Sequence, residues 1–85
     1  MNRLELIRDK LTKALHPTEL ILEDESHLHV GHAGARDGRG HFALTISSAA
    51  FAAKTRIQQH QMIYKALGDL MKTDIHALRI LIRVV

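Results

Sequence analysis

The chain contains no cysteine. That excludes disulfide frameworks, thiolate metal sites and cysteine nucleophiles, so any metal it helps to hold must take other ligands. Aromatic residues are scarce. Phe42, Phe51 and Tyr64 all have places in a core, which leaves little for stacking nucleobases. No apolar run approaches the ~20 residues of a membrane span. No signal-peptide core follows Met1-Asn2-Arg3. The expectation is a cytoplasmic protein without membrane contact. There is no GxSxG and no P-loop. Glu23, Asp24 and Glu25 are consecutive and cannot all converge as an acid–base pair, so an enzyme is not expected. With 85 residues, the chain reads as a single domain over 1–85, with one core and no deep multi-layer active site. Its formal net charge of +3 permits nucleic-acid contact without requiring it.

What is there, above all, is histidine, seven residues of it, able to ligate metal or to change charge near neutral pH. The run Thr55–Met71 puts Ile57, His60, Ile63, Tyr64, Leu67, Leu70 and Met71 on one helical face, which predicts an amphipathic helix over 55–71. After it, Leu78, Ile80, Ile82 and Val84 alternate with Arg79 and Arg83, predicting a strand over 76–84 with one buried face. Counting back by two places His76 in phase with that face, at its mouth. Upstream, Asn2 and Glu5 give a capping-box-like start, and Leu4, Ile7, Leu11, Ala14 and Leu15 recur at helical spacing. Pro17 ends this first helix, expected over 3–15. Strands follow at 19–24 and 41–47, the second with Phe42, Leu44 and Ile46 inward. They pair as an antiparallel hairpin across the polar stretch Asp24–Gly40, which holds four of the five glycines; a loop of that length in so small a domain is expected to be functional or mobile and not a mere connector. Ser48–Ala53 reads as a turn or short helical piece with Phe51 plugging the core. The expected fold is α+β, in the order helix-strand-strand-helix-strand. A three-stranded mixed sheet carries both helices on one face, and the last strand is parallel to a hairpin strand through a right-handed crossover. Leu4, Ile7, Leu11, Leu22, Phe42, Leu44, Ile46, Ile63, Leu67, Leu78, Ile80 and Ile82 form the expected core.

The histidines divide by position. His27, His29 and His32 are dense enough to bind metal, but a structural zinc site usually draws on thiolates, and spacing alone favours a solvated loop. His60, mid-stripe on a packed helix, reads as structural, satisfying a backbone group or lining a cleft. His76, at a strand start, is equally a ligand or a strand-edge residue. His41 reads as a sheet-edge residue on the outer face. Gly31-His32-Ala33-Gly34 is formally the GxxG phosphate clamp, but it joins strands here where that clamp joins helices. Gly38-Arg39-Gly40 is a weak phosphate candidate.

Ordered segments along nearly the whole chain resemble the BolA family. They are Asp24-Glu25-Ser26 with His29, His41-Phe42 with Ser47, Phe51-x-x-Lys54, Gln59-His60-Gln61-Met62-Ile63-Tyr64-x-x-Leu67, and Ile75-His76-Ala77-Leu78. The family's usual Arg-His-Arg is Gln59-His60-Gln61 here, its usual glycine two after Phe51 is Ala53, and the C-terminal extension of many members is missing from this sequence. The resemblance implies a class II KH-like fold. It implies an adaptor that is monomeric alone and pairs with a monothiol glutaredoxin, sharing a [2Fe–2S] cluster to which glutaredoxin and glutathione give thiolates. His76 and a loop histidine, His29 or His32, are then the expected metal ligands, and the isolated protein should hold no cluster. It implies as the alternative a DNA-binding transcriptional regulator using the helical signature, with Lys54, Arg56, Lys65, Lys72 and Arg79 as candidate nucleic-acid contacts. The cluster reading is favoured: a cysteine-free, histidine-rich chain can complete a cluster site but not build one, and the missing arginines weaken phosphate anchoring.

Overall fold

The computed structural model describes residues 2–26 and 39–83. Helix α1 (Arg3–Leu15) starts where Asn2 accepts the Glu5 N–H at 2.9 Å and ends at His16, in the left-handed region at φ 46°, just before Pro17. Strands β1 (Glu19–Asp24) and β2 (Gly40–Ser47) pair antiparallel. Ser48 closes β2; its hydroxyl donates to the Leu15 carbonyl and accepts from the Ala50 N–H. This ties the end of α1 to a 3-10 turn at Ala49–Phe51, which buries Phe51 as the sequence suggests. Helix α2 (Arg56–Leu67) opens on a reciprocal capping box between Thr55 and Gln58. A one-turn helix α3 (Leu70–Thr73) leads into β3 (Ile75–Ile82). The sheet order is β1-β2-β3, with β2 and β3 parallel, so β2 carries both ladders. This is the expected α+β architecture. Phe42, Leu44 and Ile46 meet Ile7, Leu11, Ile63 and Leu67 on the covered face.

The structure corrects the sequence reading in four places. The helix expected over 55–71 is two helices, because Gly68 takes a positive φ of 55° at the end of α2. The buried arc of α2 is also rotated from the expected stripe, towards Gln59, Met62 and Ala66. Ile63 and Leu67 are buried, but Ile57 is 71% and Tyr64 42% exposed. Apolar residues cover more than half the circumference of this helix, so periodicity alone did not say which arc would pack. Third, β3 starts at Ile75, which is fully buried although no core place was expected for it. Fourth, His76 is exposed and not in phase with the buried face. Leu4, Leu22, Leu78, Ile80 and Ile82 pack against the core but are only half-buried. Val84 lies outside the described residues.

Among the described residues the other sheet face carries no helix. Its rows run Glu23, Ala43, Arg79 and then Ile21, Thr45, Leu81. Arg79 reaches across the small Ala43 to Glu25, and Arg83 reaches Glu19, so two ion pairs bridge the outer strands over β2.

Candidate functional site

The histidines that remain within the described residues, apart from His16 and His60, meet at the end of the sheet where β2 and β3 begin. Gly40 is the first residue of β2, and its N–H donates to the Asp74 carbonyl at 2.9 Å. Added to Gly40, a Cβ would sit 2.6 Å from the Phe42 ring and 3.1 Å from Ser26 Oγ, so any larger residue here forces the ring or the strand to shift. Gly40 pairs with Ile75 but His41 pairs with Ala77. One extra residue, His76, is therefore inserted in β3, a β-bulge that turns its side chain away from the core.

His41 lies on the helix-free face at the mouth of the central strand, not at a sheet edge, and is only 7% exposed. Its backbone is held on both sides. The His41 N–H donates to Ser26 Oγ at 3.0 Å, and its carbonyl accepts from Glu25 N–H at 2.7 Å. The His41 and His76 ring centroids are 5.1 Å apart, with planes tilted by 52°. Arg39 places Nη2 3.1 Å from His76 Nδ1. A guanidinium only donates, so Nδ1 is the acceptor and the proton of the neutral ring is on Nε2.

Two charged residues brace this end. Arg79 makes a two-pronged contact with Glu25 at 2.7 and 3.3 Å, and that hydrogen-bonded carboxylate raises the arginine's pKa above its ordinary value. Asp74 is held below the usual aspartate range, first by the Thr73 hydroxyl and then by Arg3, whose Nε lies 3.3 Å away.

His60 is structural in the sense expected: its Nδ1 donates to the Arg56 carbonyl at 2.9 Å. His27, His29 and His32 lie outside the described residues. Among the described residues no group of three or more histidine, aspartate or glutamate side chains is arranged to hold a metal. Within that range the chain offers imidazole at the sheet end and no thiolate. This fits a metal group completed from outside and does not fit a self-sufficient site.

The candidate nucleic-acid residues do not form one surface. Lys54 and Lys65 line one shallow groove with Gln58, Gln61 and Met62. Arg56 lines the neighbouring groove with Ile57, His60 and Tyr64. Lys72 is on α3, and Arg79 is on the opposite side of the sheet from the helices, engaged with Glu25.

The sequence marked Arg39 only as part of a weak phosphate candidate and not as a partner of His76, gave Ile75 no place in the core, and misplaced His41. A signal for the bulge was present: Ile75 and Leu78 are both apolar and three apart, a spacing no regular strand can bury on one face.

A model of the family described as BolA, BolA-like protein, matches residues 11–84. The chain belongs to the BolA-like family. The BolA domain of SufE1 from Arabidopsis thaliana is a similar solved structure, with a TM-score of 0.83 and 39% identity, covering 99% of this chain and 94% of that one. The chain is 47% identical over 79 residues to the chloroplastic/mitochondrial SufE-like protein 1 of the same plant. That match takes in 87% of this chain and 21% of that protein, so the chain spans about a fifth of its length. It is 37% identical over 78 residues to the DNA-binding transcriptional regulator BolA of Haemophilus influenzae, covering 92% of this chain and 73% of that protein. Among the described residues no helix is long and apolar enough to cross a membrane.

Proposed function

We propose that this BolA-like chain is an adaptor that pairs with a monothiol glutaredoxin and supplies histidine to a [2Fe–2S] cluster shared with that protein and glutathione, in cluster assembly, transfer or sensing. The observation that carries the reading is His76. It is an exposed imidazole on an inserted residue of a paired strand, so the ladder on either side fixes its backbone while its ring faces outward. A ligand on such an element is better positioned than one on a loop. His29 is the second candidate and His32 the third. The cluster, when bound, would supply electron-transfer chemistry; the chain's part is to offer an uncharged donor. Imidazole in place of thiolate removes negative charge from the iron, which raises the reduction potential. The chain is monomeric alone and forms a heterodimer with its partner in this proposal. Glutathione-dependent assembly also needs a reducing compartment, for which the cytoplasm qualifies.

The test is reconstitution with a monothiol glutaredoxin and glutathione, comparing His76→Ala and His29→Ala with the unaltered chain by absorption, circular dichroism and potentiometry. His76→Ala is expected to alter the cluster spectrum and lower the cluster's retention. Wild-type spectra and potentials for both variants would remove the two residues from the ligand set.

The second reading is a DNA-binding regulator, favoured by the name of the Haemophilus relative. The scattered cations support only weak, salt-sensitive, sequence-indifferent association. Sequence-selective binding that survives physiological salt would make it the better reading.

A further inference from the structure

We propose that Arg39 is a selectivity residue for His76, which withholds its imidazole from free divalent cations and yields it to a metal group of net negative charge. The inference rests on His76 being a metal ligand, as proposed above, and extends it to how that ligand is kept from the wrong metal.

Arg39 Nη2 lies 3.1 Å from His76 Nδ1. A guanidinium presents only N–H donors and has no lone pair to offer. The Nδ1 lone pair is therefore directed at Arg39, and Nε2 carries the hydrogen. Neither nitrogen is ready to bind a metal in this state. Coordination through Nδ1 requires Arg39 to leave, and coordination through Nε2 requires the proton to move to Nδ1, where it would face the guanidinium. Either route for a divalent cation also brings two positive groups together. A thiolate-ligated iron–sulfur group carries net negative charge, so the same guanidinium attracts it and turns from blocker into counter-ion. His41, only 7% exposed and with its ring 5.1 Å from that of His76, limits how far the imidazole can turn away from Arg39. Arg39 and His76 stand on different strand starts, held together by the Gly40 to Asp74 backbone hydrogen bond, so the pairing is built by the fold and is not a local sequence effect.

The experiment uses the isolated chain, so it is decided whether or not a cluster forms with a glutaredoxin. Long-range proton–nitrogen spectra of the histidine rings read the His76 tautomer directly at fixed mildly alkaline pH. Paramagnetic broadening by Ni²⁺ then reads metal binding at the His76 ring itself. A background in which His27, His29 and His32 are replaced by alanine removes competing imidazoles. The expected result is an Nε2–H tautomer in the unaltered sheet end, and broadening of His76 at roughly three- to tenfold lower Ni²⁺ in Arg39→Ala, the scale of one exposed charge in screened water. Arg39→Lys, which keeps a charged donor, should fall near the unaltered chain, and Arg39→Gln, which keeps a donor without charge, between the two. An Nδ1–H tautomer with Arg39 in place, or equal Ni²⁺ sensitivity in Arg39→Ala and the unaltered chain, overturns the proposal.

Discussion

Gly40 shows how much can turn on one missing side chain. It begins the central strand, donates to Asp74, and lies under the ring of Phe42, itself 2% exposed and unable to retreat without opening the core. Gly40→Ala forces that ring or the strand to move. The expected cost is that of overpacking, about 1–3 kcal/mol, read as a lower denaturant midpoint at unchanged slope. The same shift should disturb the His41 backbone, whose N–H and carbonyl are held by Ser26 and Glu25, so the histidine ring resonances should move with it. The sequence marked this glycine only as part of Gly38-Arg39-Gly40. Nothing in that tripeptide announces a ring 2.6 Å away, because Phe42 lies two residues on and the crowding arises only once the strand is paired.

At the scale of elements, α2 and β3 divide what was legible from what was not. Their existence, type and order followed from periodicity. Which arc of α2 packs did not, since that depends on where the sheet lies relative to the helix, and the rotation is a tertiary outcome. The two isoleucines of α2 separate the cases. Ile63→Ala should cost about 2–5 kcal/mol, as a buried side chain leaving a cavity, whereas Ile57→Lys should change stability by no more than about 0.5 kcal/mol; urea titration of both measures the difference. In β3, counting by two placed His76 in the core phase, and the bulge moved it out. Alternation therefore assigned this candidate ligand to the wrong face. The basic residues around α2 and on β3 could be counted in the sequence, and alternation already turned Arg79 away from the buried face; its engagement with Glu25 comes only from the folded sheet.

At the scale of the molecule, helix α1 is joined to the entry of β3 through Asp74, which faces Arg3 just ahead of that strand. Its pKa is depressed by the Thr73 hydroxyl and by Arg3. A depressed carboxyl contributes stability above its unfolded pKa, and that contribution disappears as pH falls through the folded value. The unaltered chain should therefore lose more stability between neutral and strongly acid pH than Asp74→Asn, measured by denaturation at each pH.

The inserted residue in β3 has a consequence for packing as well as for chemistry. Ile75 and Leu78 keep their inward places whatever side chain stands at position 76, because that residue takes no part in the alternation that fills the core. A different side chain at position 76 therefore leaves the packing of the core unchanged. In the proposed reading, the chemistry offered at this position and the architecture that carries it are thereby decoupled.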